Sequence, residues 1–237
     1  MIDPGDIRAL TFDCYGTLID WETGILGTLE PLLARHALNP GPRRLLELYS
    51  RIEPEVQRED YRPYREVLGE VTRRIARELG FEATPDEARA LADSLGEWPA
   101  FAETPRVLAR LAEHFRLGVL SNIDRDLFEL SRRHIRAEHG FDFELVVTAQ
   151  DTRSYKPAIG HFWRAMELLR LPGARILHAA ESPFHDIAPA QSLGLRTAWI
   201  NRRAHKGGLA ASRDASIEPD IEATSLRELE SVILGSP

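Results

Sequence analysis

The stretch Ala9-Leu10-Thr11-Phe12-Asp13-Cys14-Tyr15-Gly16-Thr17-Leu18 decides the fold. An apolar run ends at Phe12 and delivers a carboxylate, Asp13, into a turn that contains Gly16 and Thr17. A strand buried on both faces of a parallel sheet reads as a near-continuous apolar run. The first polar residue beyond it stands at the carboxyl edge of the sheet, where doubly wound folds bind their ligands. Gly16 frees the backbone at the turn, and the loop presents N–H groups and the Thr17 hydroxyl beside Asp13. Such a loop suits an anionic substrate and places Asp13 as a nucleophile, although the same pattern in isolation also describes an Asp that caps a turn. Cys14, the single cysteine, points by strand alternation away from Asp13 and is expected to be a small core residue rather than a reactive thiol.

Working outward, Leu117 to Leu120, Leu145 to Thr148, Ile176 to Ala180 and Thr197 to Ile200 read as further strands, with helical patterns between them. Strand and helix alternating in this way imply a parallel sheet with right-handed crossovers, a Rossmann-like three-layer α/β/α core. Between residues 19 and 99 the texture changes to charged amphipathic stretches such as Tyr64 to Gly80 and Asp86 to Leu95, with no strand among them. This interval is expected to be an inserted helical domain, which leaves residues 1–18 and 100–237 for the core. Gly80-Phe81-Glu82-Ala83-Thr84-Pro85 ends one helix and starts another. After Arg202 a polar loop is expected, then a last helix over Ser225 to Leu234.

A chain of 237 residues with 43 % hydrophobic and 28 % charged residues has ordinary globular composition. Its formal charge of −7 argues against nucleic acid or an anionic membrane as partner, while leaving room for a local cationic pocket. No apolar stretch approaches the ~20 residues of a bilayer span, and Met1-Ile2-Asp3-Pro4 lacks the basic start of a signal peptide. A lone cysteine cannot form an intramolecular disulfide, which agrees with a reducing compartment. The expectation is therefore a cytoplasmic protein acting on a small molecule, with a homodimer compatible with everything in the sequence.

Four motifs then appear in the order that an α/β sheet would supply them. Asp13-Cys14-Tyr15-Gly16-Thr17, Ser121-Asn122 after Leu117-Gly118-Val119-Leu120, Lys156-Pro157, and Glu181 followed five places later by Asp186 resemble the four motifs of the haloacid dehalogenase superfamily. They span most of the chain. The branch most resembled is the 2-haloacid dehalogenase type, which has an aromatic residue two places after the nucleophile; Tyr15 stands there, where phosphatases of the superfamily carry an acidic proton donor. The stretches Asp13 to Ile25, Ser121-Asn122-Ile123-Asp124-Arg125, Ser154-Tyr155-Lys156-Pro157 and Ala180-Glu181-Ser182 are also similar to the azetidine-2-carboxylate hydrolases, relatives that open a strained amino-acid ring.

The resemblance implies a helical cap over the site and a hydrolase that displaces a leaving group from carbon 2 of a small carboxylate through an ester on Asp13. Lys156 would favour the ionised form of Asp13, because a nearby cation lowers a carboxyl pKa. Thr17, Ser121, Asn122 and Lys156 would hold the substrate anion, and Asp186 would be the base that activates water and directs it to the ester. Tyr15, Trp21, Phe162 and His185 are the expected remaining contacts. Several residues depart from the resembled pattern. Glu181 stands where those dehalogenases have Ser, Phe162 where they have Tyr, and His185 where they have an aromatic residue; Arg51 is the nearest counterpart of their halide-binding arginine. Glu181 is expected either to donate a proton to an amine leaving group or, with Asp13 and Asp186, to hold Mg²⁺ through hard oxygen ligands. No cofactor is expected for dehalogenation, and Mg²⁺ for phosphate transfer. Azetidine ring opening, a magnesium phosphatase and a non-enzymatic binding module on the same fold remain the alternatives.

Overall fold

In the computed structural model, residues 4–136, 141–202, 204 and 218–235 are described. Six parallel strands form one sheet: β1 (Ala9–Phe12), β2 (Arg116–Ser121), β3 (Leu145–Thr148), β4 (Ile176–Ala180), β5 (Arg196–Ile200) and β6 (Ile221–Ala223). Their order is β3-β2-β1-β4-β5-β6, with Phe12 in register with Val119 on one side and Ala179 on the other. The order reverses beside β1, so its carboxyl end opens into the crevice where a doubly wound sheet binds ligands.

Alternation along the strands builds two cores. Leu10, Phe12, Val119 and Ala179 face one layer, and Ala9, Leu120 and Ile176 face the other. The first layer is covered by α5 (Thr104–Ala112), α6 (Arg125–Arg136) and α10 (Leu226–Leu234), whose Leu108, Phe128 and Leu229 are fully buried. The second is covered by α8 (Gly160–Leu169) and α9 (Ala188–Ser192), with Phe162, Ala165 and Ala190 in its core. This is the three-layer α/β/α arrangement. Cys14 is fully buried in the first core, among Phe12 and Leu18. The short strand β6 is a finding that the sequence reading lacked, and much of the polar loop expected after Arg202 (residues 205–217) lies outside the described residues.

Between β1 and α5 the chain forms four helices: α1 (Trp21–Arg35), α2 (Pro42–Gln57), α3 (Tyr64–Glu78) and α4 (Pro85–Ser94). The turn from α3 to α4 follows the chemistry of its residues. Gly80 takes φ +89°, and Thr84 with Glu87 forms a reciprocal capping box ahead of Pro85. The helical layer is fixed to the sheet edge by polar contacts. Asp124, beyond β2, accepts from the backbone N–H groups of Tyr64 and Arg65 at 2.9 and 3.0 Å, satisfying donors at the start of α3. Tyr155 donates to the Arg62 carbonyl at 2.7 Å. Among the described residues no helix is long and apolar enough to cross a membrane.

Gly24 on α1 is the tightest junction between this layer and the returning chain. A Cβ there would come within 2.3 Å of the Trp98 ring, which is itself buried and hydrogen-bonded to Ser94. Gly24→Ala is therefore expected to destabilise the protein by about 1–3 kcal/mol through overpacking. Urea unfolding checks this; an unchanged midpoint would show that Trp98 moves aside without cost.

Candidate functional site

The carboxyl ends of the neighbouring strands β1 and β4, and a loop beyond β3, deliver one charged cluster. Asp13 follows β1, Asp186 sits in the π-helical turn Pro183–Ile187 beyond β4, and Lys156 comes from the loop after the short helix α7 (Ala149–Thr152) that follows β3. The Lys156 ammonium donates to Asp13 Oδ1 at 2.9 Å, to Asp186 Oδ1 at 2.6 Å and to the Leu120 carbonyl at 2.8 Å. All three side chains are buried, so each charge is compensated by a partner rather than by water. Asn122, just beyond β2, fixes the lysine from behind: its Oδ1 accepts from the Lys156 N–H at 2.7 Å and its Nδ2 donates to the Lys156 carbonyl at 3.1 Å.

The Asp13 carboxylate is held at both oxygens. Thr17 donates to Oδ2 at 2.9 Å, and the Thr17 oxygen in turn accepts from the Glu181 N–H at 3.0 Å. Burial pushes the Asp13 carboxyl above its ordinary value, while Lys156 and the Thr17 hydrogen bond pull the other way. Burial also raises Asp186, but Lys156 and His178 more than reverse this and hold it well below the usual carboxylate range. His178, on β4, joins Asp186 Oδ1 through Nε2 and the Thr11 hydroxyl through Nδ1, both at 2.9 Å. Lys156 is lowered by burial and raised further by its two carboxylates, so it stays charged.

Asp13, Lys156 and Asp186 open on a cavity of about 120 Å³. Ser121 and Asn122 line it from beyond β2, Ser182 and His185 from beyond β4, and Tyr15 from the nucleophile loop; Glu53, Gln57 and Tyr64 close it from α2 and α3. The Ser121 hydroxyl is buried and has no hydrogen-bond partner among the described residues, so it is open to a ligand. The Tyr15 hydroxyl is turned away to Ser131 at 2.7 Å, and burial raises it well above the ordinary phenol range. His185 bonds Ser182 through Nδ1 at 3.1 Å, and burial lowers its imidazole below the ordinary value.

Other expected positions fall elsewhere. Phe162 is fully buried in the second core, its ring edge 5.1 Å from His178, because α8 turns that face to the sheet; it does not line the cavity. Trp21 stacks at 5.6 Å on Tyr49 and lines a separate cleft with Gly16, Glu181 and Arg202. Arg51 is exposed and pairs with Glu78 at 2.5 Å, outside the cavity. Thr17 has its hydroxyl committed to Asp13 and Glu181, and Asn122 its amide to Lys156, so both position the charged cluster rather than offer a free group to an anion.

Glu181 does not join Asp13 and Asp186 in one cluster. Among the described residues no group of three or more His, Cys, Asp and Glu is arranged to hold a metal ion. Lys156 bridges the two aspartates, and Glu181 faces the neighbouring cleft, where its carbonyl accepts from Trp199 at 2.9 Å.

Sequence reasoning missed His178 and the residues contributed by α2 and α3. Glu53 accepts hydrogen bonds at Oε1 from Gln57 and, at 3.1 Å, from Tyr64. The signals were present: a His amid the apolar run of β4, and Glu53 and Gln57 at helical spacing from Tyr49, breaking the stripe of Leu45, Leu48, Ile52 and Val56.

The family model of the haloacid dehalogenase-like hydrolases matches residues 7–194. Among curated proteins, the chain is similar to the 5-amino-6-(5-phospho-D-ribitylamino)uracil phosphatase YigB of Escherichia coli K12, 27 % identical, with 97 % of each chain covered. Among solved structures it is similar to the L-2-haloacid dehalogenase RSc1362, with TM-score 0.80, 25 % identity and 97 % of this chain and 99 % of that one covered. It is also similar to the L-2-haloacid dehalogenase of Xanthobacter autotrophicus with chloropropionic acid covalently bound, with TM-score 0.80 and 98 % and 100 % coverage. At 19 % identity that last likeness carries the fold alone.

Removing the shared cation leaves two buried carboxylates facing each other. The folded pKa of Asp186 is depressed, so its contribution to stability is present above the unfolded value and lost as pH falls through the folded one. Without Lys156 the carboxyl pKa values rise, the sign reverses, and stability is lost as pH increases. Lys156→Met is expected to destabilise by about 3–5 kcal/mol at pH 8 and by less at pH 5. Urea unfolding at the two pH values tests this; a gap that stays constant or narrows with pH would contradict it.

Proposed function

Since the chain belongs to the haloacid dehalogenase-like hydrolases, we propose that Asp13 attacks carbon 2 of a small 2-substituted carboxylate and carries it as an aspartyl ester. The observation that carries this reading is Tyr15. Two places after the nucleophile the chain has a phenol bonded to Ser131, with its pKa raised, so no acid stands there to protonate a departing alkoxide. Displacement at carbon needs no proton at that place. A cavity of about 120 Å³ supports a small substrate, since it equals the liquid volume of about four waters.

Asp13 presents Oδ1 or Oδ2 to carbon 2 while Lys156 and Thr17 keep the carboxylate aimed. The substrate carboxylate is received by the open Ser121 hydroxyl, while Lys156, whose three protons go to Asp13, Asp186 and the Leu120 carbonyl, offsets its charge without a direct bond. In the second step water adds to the ester carbonyl. Asp186 orients that water; a carboxylate held so far below its ordinary range is a weak base, and the neutral His185 imidazole takes the proton. His178 fixes Asp186 from behind.

Halide is the first leaving group to test, and the ring nitrogen of azetidine-2-carboxylate the second. Phosphate-ester hydrolysis is the second reading, favoured by the full-length similarity to the YigB phosphatase. Incubation with 2-chloropropionate, azetidine-2-carboxylate and a phosphate-ester panel, each with Mg²⁺ and with EDTA, separates them by halide, amine or phosphate release. Phosphate release dependent on Mg²⁺, with neither other product, would overturn the proposal.

Asp13→Asn is expected to abolish turnover, and steady activity in a preparation free of deamidation would remove Asp13 as nucleophile. Asp186→Asn is expected to slow ester hydrolysis by about 10²–10⁴-fold, and more than ester formation, so that intact-mass spectra show a trapped adduct. Absence of that adduct under substrate would contradict the division of labour.

A further inference from the structure

The cavity contains one charged group that the two steps above do not use. Glu53 reaches it from α2, on the wall opposite the carboxyl ends of the strands. Its Oε1 is fixed by Gln57 and Tyr64, and Tyr64 is in turn bonded to Tyr49 at 3.1 Å. Its Oε2 has no hydrogen-bond partner among the described residues. A carboxyl oxygen held on one side and open on the other is a built acceptor. Among the described residues no Arg or Lys besides Lys156 lines the cavity, and Lys156 is already shared by Asp13 and Asp186.

An in-line displacement by Asp13 sends the leaving group away from the sheet edge, toward the wall that Glu53 forms. A carboxylate there repels a departing halide and attracts a cationic nitrogen. Resting on the reading of Asp13 as a carbon nucleophile, we infer that Glu53 is the specificity-determining residue of this site and receives the ammonium nitrogen on carbon 2 of a zwitterionic substrate. The substrate class is a small 2-ammonio carboxylate whose nitrogen leaves, as in a strained ring. The Asp13 oxygen forms the bond to carbon 2, the carbon–nitrogen bond breaks, and its electron pair stays on nitrogen, which departs as an amine. Water then adds at the Asp13 carbonyl carbon. One water proton ends on the 2-hydroxy group, the other is released, and the sum is substrate plus water giving a hydroxy acid that carries an amine. The two ends of the zwitterion match the two ends of the cavity: Lys156 and Ser121 at the sheet, Glu53 at the helices.

The titratable groups facing Glu53 are Tyr49 on its own helix, Tyr64 on α3, Tyr155 from the loop after β3, and, across the cavity, Asp13, Lys156, His185 and Asp186. Burial raises all three phenols, and it lowers His185. Burial pushes the Glu53 carboxyl up to about 7, opposed by the Tyr64 hydrogen bond. An ammonium substrate needs the ionised form, so its kcat/KM is expected to rise as pH passes through that value.

The test compares wild type with Glu53→Gln on azetidine-2-carboxylate and 2-chloropropionate, following amine, halide and the Asp13 ester by intact mass. The isosteric amide is expected to lower kcat/KM for amine release by about 10- to 100-fold, mostly through KM, as for loss of a charge-assisted hydrogen bond. The pH-dependent rise is expected to flatten. Ester formation from 2-chloropropionate is expected to quicken, because the amide no longer repels a departing halide, and that gain also shows that the variant is folded. Equal losses on both substrates would make Glu53 a structural residue and overturn the inference. Wild type that forms the chloropropionate-derived ester but releases no amine would overturn it while the Asp13 reading stands. An Asp13 that neither substrate esterifies would remove that reading and the inference together.

Discussion

Everything at this site depends on one ammonium shared by two buried carboxylates. Lys156 touches Asp13 and Asp186 at once, at 2.9 and 2.6 Å. In a low-dielectric interior two like charges at such separation are not both ionised without a cation between them. The lysine is therefore the reason that Asp13 can act and that Asp186 stays a carboxylate. The surrounding bonds maintain this sharing: Asn122 grips the lysine backbone, Thr17 aims Asp13, and His178 anchors Asp186 to Thr11 and the sheet.

The fold supplies these parts from sequence-distant segments because a parallel sheet brings all its carboxyl ends to one edge. Residues 13, 121, 156 and 186 meet there without any long loop being asked to reach. The helical layer adds a second constraint from above. Asp124 holds the start of α3 through two backbone N–H groups, so the wall that carries Tyr64, and with it Glu53, is fixed relative to the nucleophile. A core turn thus sets the distance between the two halves of the cavity.

Much of this was legible in the sequence. The apolar runs gave five of the six strands within a residue of their ends; Asp13 was recognisable because it follows a strand at the edge that binds ligands, and Lys156 and Asp186 through their resemblance to the superfamily's motifs. The three-residue β6 was too short to stand out from the loop before it. Phe162 was misplaced because spacing along a chain does not say which face of a helix meets the sheet, and Trp21 because the start of α1 turns it to Tyr49 and the neighbouring cleft. Glu181 sits only five positions from Asp186, yet the strand end turns it into the neighbouring cleft. Glu53 and His178 were overlooked for the opposite reason: each is a polar residue set in an apolar pattern, and that pattern by itself reads as core.

The account stands on Asp13 becoming covalently attached to carbon 2. The most direct measurement is a single turnover in H₂¹⁸O with enzyme in excess over whichever 2-substituted acid it consumes, followed by peptide mass mapping. Attack of water on the ester carbonyl predicts ¹⁸O in the Asp13 carboxylate and an unlabelled 2-hydroxy acid. Label in the product, with none at Asp13, would show that water attacks the substrate directly and would contradict the account.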